Sequence, residues 1–431
     1  MKVVAFLPAK GTSSRIENKN IKLIDGKPLF LHTLEKLASS DIFDEVYLDT
    51  DSEEIINLAS EVDCKVMTRD PSLASNKTDG NKLFLNEVNT VDADIYVQVL
   101  CTSPFIDMET IDKGIQTVLS KNYDSAVLIR KEKQYRWNTQ GPAYNLDAIP
   151  NSIDLDDSII ETMGLYIVTK EAAIKTQRRI GSNPYMLEAT PLEAIDVNWP
   201  EDFELANLIA AGLREKDRKL LDNIKNQLNS RLLSDLLDDF GYSNQVINGL
   251  TPNFEQAKLL GRAKTLKLRK LEEGEDFKGI YKALNSYDSV VPNDIIVVEN
   301  EINEFAYFGD LNANLAIRAG ASGVIVGGKT RDGDEVKAAG LPVFSTGYNC
   351  QDVRKRATTE YYNKKISLNG VEIEPECLIF ADSEGVIVIP KKIEKEVISE
   401  VYKRAANENK ILLDIATGEN VQNLVNNYGF F

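Results

Sequence analysis

Alternating apolar strands and amphipathic helices predict an α/β protein in two domains. In the first half, β-type runs such as Val3-Val4-Ala5, Glu45 to Asp51 and Ile95 to Leu100 alternate with helical stretches such as Pro28 to Leu37. That alternation implies a largely parallel sheet covered on both faces. The strands end in polar tips, and ligands of open α/β sheets bind at the carboxyl ends of strands. At 431 residues the chain also exceeds one ordinary core, so two domains of roughly 200 residues each are expected.

Composition narrows the class. With 43% hydrophobic and 27% charged residues the chain is globular rather than disordered or fibrous. Its net charge of −17 disfavours nucleic acid as a partner, because phosphate backbones are met by positive surfaces. No apolar run approaches the roughly 20 residues that span a bilayer, and the start of the chain lacks an apolar signal segment, so no membrane partner and a cytoplasmic location are expected. Cys64, Cys101, Cys350 and Cys377 lack C-x-x-C spacing and read as core thiols, not as zinc ligands or disulfides. The single histidine, His32, sits at helical spacing in PLFLHTLEKL and reads as a packing residue. Acid–base and metal chemistry then falls to carboxylates, lysines, arginines and water, with Mg²⁺ the expected metal.

Taken in order, Phe6 to Asn20 (FLPAKGTSSRIENKN) follows the first strand. A strand opening into a Gly/Ser/Lys-rich loop gathers backbone N–H groups, hydroxyls and cations, which suits a polyphosphate. It has neither P-loop nor dinucleotide-binding spacing. The strand Glu45 to Asp51 precedes a helix Glu53 to Glu61, and Asp51 can either cap that helix or contact a ligand. Lys65 to Met67 leads to Arg69, and Ile95 to Leu100 leads to Cys101-Thr102-Ser103-Pro104-Phe105.

PAK-G-x-S…KN, L-D-T-D-S, R-x-P-x-L-A, Q-x-x-x-TSP, G-L-Y-I (Gly164 to Ile167) and Ile195-Asp196-Val197-Asn198 stand in one order. Over about residues 1 to 213 this resembles the acylneuraminate (CMP-sialic acid) cytidylyltransferase family, with a trace of the Kdo cytidylyltransferases in Ser13-Ser14-Arg15. The resemblance implies a Rossmann-like, GT-A-like nucleotidyltransferase domain that joins CTP to a 2-keto-3-deoxy sugar acid and releases pyrophosphate. By position it assigns Lys10, Gly11, Ser13 and Asn20 to nucleotide and phosphate binding and Arg15 and Lys19 to catalysis. It further assigns Arg69 to the nucleotide, Gln98 to the sugar acid, and Asp196 and Asn198 to Mg²⁺. Asn198 departs from the family's aspartate, and Ser14 from its lysine, with Arg15 as the compensating cation. Arg136, Trp137 and Gln140, before the Gly141-Pro142 turn, read as structural residues of a segment over the sugar site.

From Glu201 to Leu233 the pattern is helical and includes the charge run Arg214 to Lys219. A boundary near 215 is expected, giving domains 1–215 and 216–431 joined without a flexible linker. In the second half, a helix from Ser234, strands Gly261 to Leu266, Asp294 to Val298 and Val324 to Val326, and a helix from Gly309-Asp310 to Gly320 are expected. Gly-Asp at a helix start aims N–H groups at an anion, Arg331 can fork onto a carboxylate, and Asp332 can hold a cation.

With Ala381 to Val386, where Asp382 and Glu384 read as turn residues, these features resemble the RraA-like family, which contains 4-hydroxy-4-methyl-2-oxoglutarate aldolases and non-catalytic RNase E regulators. The resemblance covers about 216 to the C-terminus and implies a layered, swivelling β/β/α-type domain. It assigns pyruvate to Arg331 and the N–H groups of Leu311, Asn312 and Ala313. Asp332 and Asp310 fall on its Mg²⁺ ligands, Arg331 and Asp332 are its catalytic pair, and Glu408 matches an acidic residue that reaches a neighbouring subunit. A bifunctional enzyme is the expectation: a Mg²⁺-dependent cytidylyltransferase and a Mg²⁺-dependent pyruvate aldolase, assembled as a dimer, trimer or hexamer. The alternative is a cytidylyltransferase, for this or another acid such as a phosphonate, with a second domain that only assembles or regulates.

Overall fold

A computed structural model describes residues 1–75, 78–120 and 122–428, with backbone alone at 405–410 and 412–413. Two units emerge, Met1–Ala211 and Gly212–Phe431.

In the first unit every residue of the strand Val3–Pro8 is buried, because the strand lies inside a seven-stranded sheet. The sheet runs Pro184–Glu188, Ser125–Glu132, Ser158–Thr169, Ile95–Val99, Val3–Pro8, Glu45–Thr50, Lys65–Thr68. Alternation of side chains along the strand puts Val3, Ala5 and Leu7 against Leu34, Leu37, Ile111 and Ile115 of the helices Leu29–Ala38 and Met108–Leu119. Val4 and Phe6 meet Phe84, Val88, Tyr96 and Ala173 on the opposite face. Each Val, Leu, Ile or Phe among them stabilises the fold by about 1.5–3 kcal/mol when fully buried. Val3–Pro8 pairs in parallel with Glu45–Thr50 and Ile95–Val99, and Glu45–Thr50 with Lys65–Thr68, so the loops after these strands leave from one edge. Ser158–Thr169 enters antiparallel beside Ile95–Val99 and Ser125–Glu132, which makes the sheet mixed.

The helical run expected from Glu201 to Leu233 is two helices, Pro200–Lys225 and Ser230–Asp239. The Asn229 side chain accepts from Leu232 N and caps the second, so that helix starts at Ser230 rather than Ser234.

The second unit carries a nine-stranded sheet whose parallel centre is Leu259–Lys270, Ile295–Asn300, Gly323–Gly327 and Val343–Ser345. Ala357–Tyr362 and Leu378–Ala381 pair antiparallel with the first of these, and Val386–Ile389 extends the sheet beyond Leu378–Ala381. One face packs Ile296, Val298, Val324 and Val326 under Ala313, Ala316 and Val336 of two helices. The other packs Ile295, Val297, Ile325 and Phe344 against Ile366, Leu368, Val371 and Ile373 of a small hairpin. Helix, sheet and hairpin are therefore three layers, and the expected α/β class holds in both units. The helix Asp310–Ala319 ends at Gly320, whose φ of 92° suits glycine. Among the described residues no helix is long and apolar enough to cross a membrane.

One buried charge group ties stability to pH. Lys264 Nζ pairs with Glu376 and stands 3.7 Å from Asp294 Oδ2, and Asp294 is 2% exposed. Burial pushes the Asp294 carboxyl up to about 7, against the pull of Lys264. The folded state then holds a proton that the unfolded chain releases near pH 4, so this group's contribution is full below about pH 4 and is lost as pH rises through about 7. Asp294→Asn is expected to flatten that decline, read as a smaller shift of the urea midpoint between pH 4.5 and 8 than in wild type.

Candidate active sites

In the first unit the loop after Val3–Pro8 is fastened at three points. Gly11 N donates to Asp51 Oδ1 at 2.9 Å, Asn20 Nδ2 to Lys10 O at 2.8 Å, and Lys19 Nζ to Val197 O at 2.8 Å. Asp51 thus holds the loop, and Ser52 caps the helix Glu53–Leu58 by accepting from Ile55 N. A side chain at Gly11 would strike Ser52 Cβ at 2.8 Å. Ser13 is partly buried within the loop and Arg15 is exposed.

The fastened loop gathers positive charge. Burial first, then the Arg69 charge and more weakly that of Arg15, lowers the pKa of Lys10. Burial likewise lowers Lys19, opposed by Cys101 and Asp196 and assisted by Arg15 and Lys10. Lys10, Arg15 and Lys19 thus lie within electrostatic reach of one another, with Arg69 beside Lys10, an arrangement that favours an anion.

Arg69 and Gln98 are the departures from expectation here. Arg69 is 4% exposed, with Nε 3.0 Å from Asp49 Oδ1 and Nη2 donating to Asp49 O at 2.8 Å. It is a buried ion pair that supplies field to the loop rather than an open fork. Gln98 is 1% exposed and donates through Nε2 to Glu87 Oε2 at 2.7 Å. Strand parity turns it inward toward the helix Gly80–Thr90, so it is not presented to a sugar acid. Burial, followed by the Asp49 charge, raises the Glu87 carboxyl well above its ordinary range.

Asp196 and Asn198 meet, but not around an open cation site. Asn198 Nδ2 donates to Asp196 Oδ2, and Asn198 Oδ1 accepts from Arg15 Nη2 at 2.7 Å. The carbonyl faces a guanidinium and the carboxylate faces an N–H, so this pair does not fit the Mg²⁺-binding role expected of it.

In the second unit, Ala306–Phe308 pairs in parallel with Lys329–Thr330, which sets Gly309-Asp310 beside Arg331-Asp332. Asp310 N donates to Asp332 Oδ2 at 3.2 Å. Asp332 has φ 52°, a left-handed conformation that aspartate tolerates at some cost, and a Cβ on Gly309 would lie 2.5 Å from its Oδ2. Ala313 N already donates to Gly309 O at 2.9 Å. It is the first bond of the helix, so of the three expected N–H groups only Leu311 and Asn312 precede it. The Asn312 side chain instead donates to Tyr307 O at 3.1 Å.

A cavity of about 630 Å³ is lined by Asp310, Leu311, Asn312, Arg331, Asp332 and Asp352 among others. Asp310 Oδ1 accepts from Asn314 Nδ2 at 2.9 Å and Asp332 Oδ2 from Asp310 N, but two carboxylates line a space large enough for water, which fits a Mg²⁺ ion that keeps several waters and takes one or two carboxylates. Asp352 Oδ2 stands 3.1 Å from Arg331 Nη2, and Asp332 Oδ2 3.6 Å from Arg331 Nε. Sequence reasoning missed Asp352. It is brought in by a bridge between Ala306 and Asp352, for which no local motif exists. Asp382 is a turn residue, accepting from Ser230 N, Glu384 N and Gly385 N. The Glu408 side chain lies outside the described residues.

The cytidylyltransferase family model matches residues 4–194 and the Aldolase/RraA family model residues 230–388. The chain is 30% identical over 213 residues to protein DlpA of Legionella pneumophila, covering 48% of this chain and 34% of DlpA. It is 24% identical to N-acylneuraminate cytidylyltransferase A of Danio rerio, covering 47% of this chain and 50% of that one. A putative 4-hydroxy-4-methyl-2-oxoglutarate aldolase of Halalkalibacterium halodurans is 30% identical over 177 residues, covering 41% of this chain and 79% of the relative. The chain thus spans about a third of DlpA and half of the Danio rerio protein. On these matches the chain belongs to the Aldolase/RraA family through residues 230–388, and over residues 4–194 it is similar to the cytidylyltransferases.

Proposed function

We propose that the first unit transfers CMP from CTP to a 2-keto-3-deoxy sugar acid of the sialic or Kdo type. The observation that carries this reading is the gathering of Lys10, Arg15, Lys19 and the Arg69 field at the ends of parallel strands, in a chain of net charge −17. The anomeric oxygen attacks the α-phosphorus, the bond to the β-phosphate oxygen breaks, and the hydroxyl proton passes to solvent. Negative charge growing on the leaving pyrophosphate meets cations already in place, which is where preorganised electrostatics lowers a barrier. His32 bonds to Ile24 O at 2.9 Å and takes no part. The name of the Danio rerio relative supports a sugar-acid acceptor.

The second unit acts on a pyruvate-like 2-keto acid as a lyase. Arg331, steadied by Asp352, and the N–H groups of Leu311 and Asn312 hold the carboxylate. Asp332 and Asp310 would hold a divalent ion, which supplies Lewis acidity toward the keto oxygen. An aldol bond between pyruvate and an aldose yields the class of acid that the first unit activates, so the two reactions fit one sequence. Leu311, 79% exposed, and the half-exposed Tyr281 and Leu284 give the cavity an apolar rim suited to a second copy of the chain, in line with a homo-oligomer.

Pyrophosphate release from CTP is expected with one member of a panel of 2-keto-3-deoxy sugar acids, and Lys19→Ala should lower that turnover by about 10²-fold or more. Full turnover in the variant would remove the loop assignment. In the second unit, Mg²⁺-dependent deuterium exchange into the pyruvate methyl group is expected in wild type and not in Asp332→Ala. Exchange in neither protein would favour a unit that only assembles or regulates.

A further inference from the structure

We propose that Asn198 is a positioning residue for Arg15, and that Asp196 and Asn198 together aim an arginine at the phosphates instead of clamping a divalent ion. The proposal rests on the first unit being a nucleotide site.

The chemistry of the partners admits one arrangement. Arg15 Nη2 can only donate, so the Asn198 atom 2.7 Å away is the carbonyl oxygen. The Asp196 carboxylate can only accept, so the Asn198 atom facing it is the amide nitrogen. The one neutral oxygen available to a cation is therefore given to a guanidinium, and a dication drawn to it would meet a like charge at contact distance. Among the described residues no group of three or more His, Cys, Asp or Glu side chains is placed to hold a metal ion. A divalent ion carried by the triphosphate itself is unaffected.

The surroundings of the pair are fixed as an aiming device would require. Asp202 Oδ2 accepts from Asn198 N at 3.0 Å and from Trp199 N at 2.8 Å, and Val197 N donates to Thr102 O at 2.8 Å. The Arg15 guanidinium lies over the Trp199 ring, 5.4 Å from its centroid, which restricts a side chain that is otherwise exposed. An amide suits this task better than the carboxylate it replaces in the related pattern. An aspartate at 198 would pair with Arg15 and cancel much of its charge, whereas asparagine orients the guanidinium and leaves its full charge for a polyanion.

The two roles for residue 198 predict opposite signs for one substitution. CTP affinity is to be measured by calorimetry on the full-length protein, once with Mg²⁺ and once with EDTA. Asn198→Asp is expected to weaken binding about tenfold in both media, as Arg15→Ala does by removing the charged donor. Asn198→Ala should weaken it as well, and the double variant Arg15→Ala/Asn198→Ala should bind no more weakly than Arg15→Ala alone, because an aiming residue has no effect once its arginine is gone. Tighter binding by Asn198→Asp with Mg²⁺, a loss confined to the Mg²⁺ medium, or additive losses in the double variant would each overturn the proposal and leave the nucleotide site standing. A wild type that binds no CTP would remove both.

Discussion

Parallel strands in register end at the same edge of a sheet, and both candidate sites depend on that constraint. In the first unit, Val3–Pro8, Glu45–Thr50 and Lys65–Thr68 pair in parallel, so the residues just beyond them, Lys10, Asp51 and Arg69, become neighbours despite their distance along the chain. The second unit repeats the device on a smaller scale, where Ala306–Phe308 beside Lys329–Thr330 brings a helix start and an Arg-Asp pair to one cavity. In each case the backbone ladder supplies rigidity, and the loops supply the chemistry.

Arg15 and Arg331 are held in opposite ways, whereas Arg69 of the first unit is already paired with Asp49. Arg15 is oriented by a neutral carbonyl and an aromatic face, and the Lys19 ammonium by the carbonyl of Val197. Such partners fix geometry without cancelling charge, which suits a ligand carrying several negative charges. Arg331 instead stands between two carboxylates, Asp332 and Asp352. Its field is partly spent before any ligand arrives, and what remains matches a single carboxylate held by geometry as much as by charge. The gathered cations of the first unit are mutually unfavourable, and their cost is offset by fastening the loop at Asp51, Lys10 O and Val197 O.

Burial also assigns roles that exposure would have hidden. Gln98, Glu87, Asp49 and Arg69 form a polar group inside the first unit, tied by hydrogen bonds at 2.7 to 3.0 Å. Their enclosure is only partly compensated, since Asp49 Oδ2, Glu87 Oε1 and Gln98 Oε1 find no hydrogen-bond partner among the described residues, and burial favours the neutral form of such a carboxyl, as at Glu87. The same rule explains the Lys264–Asp294–Glu376 group of the second unit, whose carboxyl titrates where an exposed one would not.

What the sequence by itself determined is what is local. Strand and helix periods, the Gly/Ser/Lys loop and Gly320 as a helix end are all set by residues within a few positions of one another, and they carried the fold class and pointed to both candidate sites. The tertiary structure decided whatever depends on parity and pairing. It turned Gln98 inward because even positions of that strand face the helix Gly80–Thr90, closed Arg69 onto Asp49 across adjacent strands, and used the Ala313 N–H within its own helix. It also drew Asp352 to Arg331 through a bridge at Ala306 and set Arg15 against Asn198, contacts between segments far apart in the chain that no local pattern encodes.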